Sequence, residues 1–419
     1  MRMNVEMCEL LHKIKKPLFY YKRNLKGREV GWTYSTQTLV WVFTLFLFYA
    51  ILKGLRSKKA LYKLTRAKRR EKVRIAIVSP LLASVPPKSY GGTELVVSLL
   101  TEELVRRGHD VTLFASGDSQ TKAKLVSLRE ICYQESGHPY YDRWMEEIRN
   151  VAHCIGRAHE FDIIHNHASD EGMAIGNLVR VPFLTTLHTP IDREERIRLF
   201  LAYTGWYNTV SFGTKRSLPP KPDDKFAGVI HNAIDVESYP FNEGEREGYL
   251  LFLAAIGPHK GTHLAIKVAK RLQRRLIIAG PVNEENEEFF HKEVEPEIDN
   301  KMIQYVGVAD YHQKRKLLSQ ADCLLAPITW EEPFGLYFIE AMACGTSVVA
   351  FNRGSASEVI KNGKTGFVVE DIPEMIAAVK NIPFIDRARC RQYVKETFSV
   401  ERMVVGYERV YKDIVSSRE

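Results

Sequence analysis

Two carboxylates eight residues apart frame the stretch EEPFGLYFIEAMACGT at 331–346. Glu332 precedes a Pro-Phe-Gly turn, and Glu340 falls inside a run of small helix formers where apolar burial is expected. A helix beginning at Phe334/Gly335 aims its N-terminal dipole and free N–H groups outward, with Glu332 at its mouth. Glu340 then lies about one and a half turns in. Flanked by Ala341 and Ala343, it is closely packed and needs donors, because an unpaired buried carboxylate is costly. A ligand's hydroxyls would serve, and a solvated helix face is the alternative.

Two further stretches carry chemistry. Lys260 in GPHKG (257–261) follows a strand, where a flexible ammonium can neutralise a departing diphosphate without a metal. A merely solvated loop lysine is the plain alternative. In PPKSYGGTELVVS, Gly91 and Gly92 stand immediately before a helix, which allows close backbone approach and offers N–H groups to an anion. An ordinary tight turn would look the same. His165 and His167 in HNH share one face of a strand end, but no third ligand follows at metal-binding spacing, and no metal is expected.

The elements that position these residues alternate regularly. Strands are expected at 73–79, 110–116, 161–167, 181–188, 208–213 and 228–234, with a helix over 93–107 stopped by Gly108. After the polar stretch NEGEREG (242–248) the alternation restarts. Strands are expected at 249–257, 276–280, 303–307, 322–328, 347–351 and 365–369, with helices over 262–275, 313–321, about 335–344 and 400–415. The fold class is α/β: two doubly wound parallel sheets facing a cleft, with ligands outside the carboxyl ends of the strands. Neither first turn carries GxGxxG, and no acidic ribose clamp ends a second strand, which disfavours a nicotinamide-dependent dehydrogenase.

Charge is unevenly placed. Residues 1–72 hold 18 Lys/Arg against 4 Asp/Glu, an excess of +14 within a chain whose total is +9. The remainder is slightly acidic and offers no basic face for nucleic acid. Within the basic segment, TLVWVFTLFLFYAIL (38–52) is an uncharged run short of the about 20 residues a spanning helix wants. Extended to about 34–53, it is expected to anchor the chain to a membrane as a single-pass or interfacial helix. The denser cluster at 53–72 favours an anionic leaflet and places the globular body in the cytoplasm. The six scattered cysteines form no CxxC pair and suit a reducing compartment.

The stretch WEEPFGLYFIEAMACGTSVVAF closely resembles the Glu-x7-Glu signature of family-4 glycosyltransferases, which are retaining, metal-independent enzymes of the GT-B fold. The resemblance runs across residues 73–419 and includes the Gly-Gly loop, ELVRRGHDVTLFASGDS, FDIIHNH, TTLH, YVG, RGSASEVI and KNGKTGFVV in family order. Beyond the basic anchoring segment at 1–72, it implies an acceptor-side domain at 73–240, a donor-side domain at 241–398 and a last helix, 399–419, crossing back to the first. A plain C-terminal helix is the alternative for that last segment.

By the same resemblance, Gly91 and Gly92 would approach the donor phosphates, and Lys260 would bind the diphosphate. Glu332 would hold the transferred sugar, with the backbone N–H groups of Phe334, Gly335 and Leu336 near sugar and phosphate. Glu340 would bond the ribose, and His188 would stand beside the sugar. The expected substrates are a UDP- or GDP-linked hexose and a lipid-linked or cell-surface glycan acceptor, with no cofactor. One departure stands out. Relatives carry Arg five residues before the lysine, where this chain has Ala255. Either another cation such as His259 or Arg353 compensates, or the protein is a weak or inactive tethered nucleotide-sugar-binding scaffold.

Overall fold

The computed structural model describes residues 72–136, 143–221 and 225–417. The expected anchor at about 34–53 lies outside them. Among the described residues no helix is long and apolar enough to cross a membrane.

Two parallel sheets organise the described chain. The first is built from β1 (Arg74–Val78), β2 (Asp110–Phe114), β3 (Lys124–Val126), β4 (Ile163–Asn166), β5 (Phe183–Leu187), β6 (Trp206–Thr209) and β7 (Phe226–Val229), in the order β3-β2-β1-β4-β5-β6-β7. The second is built from β8 (Tyr249–Leu253), β9 (Leu276–Ala279), β10 (Ile303–Tyr305), β11 (Ala321–Ala326), β12 (Ser347–Phe351) and β13 (Gly366–Val369), in the order β10-β9-β8-β11-β12-β13. The inner strands read as unbroken apolar runs such as RIAIV and SVVAF because helices cover both faces of a parallel sheet. Strand order reverses between β1 and β4 and again between β8 and β11. Each reversal opens a crevice at the carboxyl ends of the strands.

Five helices matter to the site. Helix α1 (Gly92–Arg106) follows β1, α2 (Thr262–Leu272) follows β8, α3 (Tyr311–Gln320) follows β10, and α4 (Leu336–Ala343) follows β11. Helix α3 starts on a capping box, Asp310 accepting from the Gln313 backbone N–H while the Gln313 side chain accepts from that of Asp310. Helix α5 (Val400–Ser416) ends the described chain. Its Met403, Val404, Tyr407, Val410, Tyr411 and Ile414 pack with Ile75, Ile77 and Val96 of the first sheet and α1, so the chain returns to the first sheet after the second is complete. The Ile234 N–H donates to the Phe398 carbonyl at 3.2 Å where the two crossings meet.

Three expectations shift. The strand placed at 208–213 runs instead over Trp206–Thr209, because the Ser211 hydroxyl caps a short helix, Phe212–Ser217, by accepting from the Thr214 N–H. The strand placed at 228–234 ends at Val229. The polar stretch at 242–248 reads as a linker, yet Arg246 is half-buried and donates to the Thr346 hydroxyl (2.6 Å) and the Gly345 carbonyl (3.0 Å), pinning it to the second sheet.

Candidate active site

Loops at the carboxyl ends of both sheets enclose a cavity of about 590 Å³. Its lining brings together Gly91, Gly92, His188, Lys260, Glu332, Phe334, Gly335, Leu336 and Glu340, the nine residues that the resemblance places around the donor.

Lys260 sits in the turn after β8 and is 9 % exposed. Its Nζ donates to Glu332 Oε2 at 2.7 Å and lies 4.2 Å from the centre of the Trp330 ring. An ammonium so little hydrated is held by the carboxylate and the ring face together. Glu332 Oε2 also accepts from Trp330 Nε1 (3.1 Å) and from the Tyr337 hydroxyl (3.2 Å). Three donors converge on one oxygen, and Oε1 has no donor among the described residues. The burial of Tyr337, and then the Glu332 charge beside it, push its phenol far above the ordinary range, so it remains a donor.

Glu340 is built the same way. It is 3 % exposed. Its Oε1 accepts from the Tyr239 hydroxyl (2.7 Å) and from Lys314 Nζ (2.6 Å), while Oε2 has no donor among the described residues. The sequence reading asked for donors here and offered a ligand's hydroxyls or solvent. Tyr239 and Lys314 supply them to one oxygen, and the other is left for whatever enters the cleft. Lys314 had no signal in the sequence, because a Lys in QKRKLL reads as the solvated side of a helix.

The glycines serve local geometry. Gly335 holds φ +75° at the N-cap of α4, where a Cβ would lie 2.5 Å from the Phe338 ring. This fixes the direction in which the first turn of α4 presents its N–H groups. A Cβ at Gly91 would come within 2.8 Å of the Pro87 Cβ. Gly91 thus lets the loop fold on itself before α1 begins.

The cations expected to replace the missing arginine do not line the cavity. Arg353 bonds its own neighbour and faces Glu370 at 3.6 Å. His259 sits edge-on to Trp330, its imidazole pushed down by burial and by Lys260. Ala255 is 7 % exposed and off the lining. The cavity instead gains Lys314 and Arg315, the latter stacked on Tyr311 at 3.8 Å. Asn232, in HNAID, was also missed. It is buried on the lining with Oδ1 unpartnered among the described residues.

His188 closes the first-sheet side, its Nε2 2.8 Å from His167 Nδ1. No group of His, Cys, Asp or Glu among the described residues is arranged to hold a metal ion.

A family model described as Glycosyltransferase Family 4 matches residues 90–238, and one described as Glycosyl transferases group 1 matches 235–396. The chain is a glycosyltransferase of the group 1/family 4 type. Among relatives, an uncharacterized glycosyltransferase of Methanocaldococcus jannaschii is 26% identical over 337 residues, covering 70% of this chain and 85% of the relative. A phosphatidyl-myo-inositol mannosyltransferase of Mycolicibacterium smegmatis is 25% identical over 366 residues, 79% of this chain and 90% of that protein. In structure, the Anabaena HepE protein in complex with UDP and glucose superposes with a TM-score of 0.64 at 18% identity, covering 81% of this chain and 99% of that one. This family-4-type chain therefore shares the two-sheet GT-B fold.

Proposed function

We propose that the protein transfers a hexose from a UDP- or GDP-linked donor, with retention of configuration, to a lipid-linked or membrane-proximal glycan acceptor. The observation that carries the reading is the Lys260–Glu332 pair at the mouth of α4. An anionic diphosphate entering beside it meets a desolvated ammonium, and a sugar meets the open oxygen of Glu332. Glu340, with Lys314 beside it, offers its second oxygen to a ribose diol. A UDP- and glucose-bound structure of the same fold supports a nucleotide-sugar partner.

In the step we propose, the acceptor oxygen bonds to the anomeric carbon as the bond from that carbon to the phosphate oxygen breaks. The acceptor proton passes to the departing phosphate oxygen on the same face. The nucleoside diphosphate leaves with its charge compensated by Lys260 and the N–H groups of α4, so the reading calls for no metal and no protein nucleophile. The basic segment at 1–72, with its apolar run at 38–52, would tether the enzyme to an anionic cytoplasmic leaflet, near a lipid-linked acceptor. To test this, the full chain is incubated in anionic lipid with radiolabelled UDP- and GDP-hexoses. Sugar should appear in the lipid or glycan fraction with the anomeric configuration of the donor. Failure of every donor to transfer or hydrolyse defeats the enzyme reading, and an inverted product defeats retention.

A further inference from the structure

Three imidazoles lie side by side behind the first-sheet side of the cavity. His165 is on β4 and His167 just past its end, their ring centres 4.0 Å apart, and the His167 ring stacks on His188 at 5.1 Å. The histidines of HNH belong to a hydrogen-bond network whose proton positions can be deduced.

His165 is fixed first. The Thr186 hydroxyl donates to Asn208 Oδ1 at 2.7 Å, so its oxygen accepts from His165 Nε2, also at 2.7 Å. His165 Nδ1 then accepts from the Tyr411 hydroxyl at 2.7 Å. Both nitrogens are spent, and neither is left for His167. His167 has one bonded nitrogen, Nδ1, 2.8 Å from His188 Nε2. Its Nε2 is buried, with no hydrogen-bond partner among the described residues. Burial pushes all three imidazoles down, His188 to about 4, so each is neutral near pH 7 and one proton lies in the 2.8 Å contact. Were His188 the donor, His167 would carry its own proton on Nε2 as a buried N–H without a partner. Orphaned buried N–H groups are rare in folded proteins, and under-satisfied acceptors somewhat less so. The opposite arrangement leaves only a lone pair there.

We propose that His167 is a positioning residue: it donates from Nδ1 to His188 Nε2 and holds His188 in the tautomer whose proton sits on Nδ1. Nδ1 is the nitrogen left for a molecule in the cavity. His188 thus meets a ligand as a neutral hydrogen-bond donor, suited to a sugar hydroxyl oxygen or a phosphate oxygen, and does not take the acceptor's proton. The tautomer follows from the hydrogen bonds and the burial of the three neutral rings, and only the identity of the ligand rests on the proposed function.

The test is long-range proton–nitrogen NMR on the full chain carrying ¹⁵N-histidine, with the His188 signals assigned by their loss in His188→Gln. The expected spectrum has a pyrrole-type Nδ1 and a pyridine-type Nε2 at His188, and the reverse pattern overturns the proposal. His167→Asn places an amide N–H where Nδ1 stood and should keep that pattern. His167→Phe keeps the ring without the donor and should average the two tautomers. A fixed Nδ1–H in His167→Phe would remove the role from His167. Titration with UDP-glucose and GDP-mannose adds a functional readout. His167→Phe should bind the donor that the native chain takes about tenfold more weakly, with His167→Asn within about twofold of native. Equal binding by all three contradicts the positioning role. Absence of binding by the native chain would instead count against the proposed function and leave the NMR result standing.

Discussion

Behind the first-sheet side of the cavity, the buried titratable groups are driven toward neutrality. His165, His167 and His188 are pushed down, and Glu94 and Glu147 are pushed up to about 7 and about 8, each chiefly by burial. The second-sheet side keeps its charges and pairs them, Lys260 with Glu332 at 2.7 Å and Lys314 with Glu340 at 2.6 Å. Both sides solve the same desolvation problem. One gives up charge. The other keeps it, and each of its carboxylates holds one oxygen in reserve. On the proposed function, an anionic donor would sit on the second-sheet side, where an ammonium can exchange a carboxylate for a phosphate, and neutral recognition would fall to the first.

The sharpest way to break this contrast is Glu332→Ala. It removes the open oxygen and leaves Lys260 unpaired, and turnover of the hexose donor should fall by about two to three orders of magnitude. Native-like turnover would take Glu332 out of the site.

Next in size is the second pair. Glu340→Leu strands Lys314 in a half-buried setting and should cost about 2 kcal/mol in urea denaturation. Adding Lys314→Met should recover most of it. A double variant no more stable than the single one would show that Tyr239, and not the charge pair, is what Glu340 supports.

The first-sheet side should reveal itself through pH. Glu147 has a folded pKa above its unfolded one, so its contribution is fully present below about 4.5 and is lost as pH rises through about 8. The histidines run the other way. Their folded pKa values are depressed, so unfolding takes up protons and stability falls as pH drops from 6.5 toward about 4. Glu147→Gln keeps an acceptor for the Leu81 N–H and should flatten the alkaline limb, gaining about 1 kcal/mol at pH 8 in thermal denaturation. An unchanged limb would remove Glu147 from the account.

The smallest expected effect is Arg315→Ala. This guanidinium has no carboxylate within ion-pair distance among the described residues and rests on Tyr311. Its loss should cost about 0.5 kcal/mol in urea. A much larger loss would mean that the charged side depends on unpaired cations as well as on its pairs.

Much of this was legible in the sequence because period and punctuation carry it. Runs such as RIAIV and YLLFL, with a glycine or a cap between them and the next helix, fix where strands end, and strand ends fix where a cleft can be. Gly335 and the spacing of Glu332 and Glu340 placed both carboxylates on that cleft. What stayed hidden has no local signal. The three-residue edge strand Lys124–Val126 is too short to show alternation. Lys314 and Arg315 sit in a polar helix whose inward side is decided only by packing against α4. Arg246 looked like linker charge until the Thr346 hydroxyl and the Gly345 carbonyl gathered around it. Tyr239 lies about a hundred residues from the Glu340 it bonds, and only the closed second domain brings them together.

The central claim is that the charged side of the cleft holds a nucleotide diphosphate sugar through Lys260. Calorimetric titration of UDP- and GDP-linked hexoses into the full chain and into Lys260→Ala tests it most directly. The account predicts saturable binding of at least one donor by the native chain, weakened about a hundredfold or more in the variant. A native chain that binds none of them, or a variant that binds as well as the native chain, would contradict it.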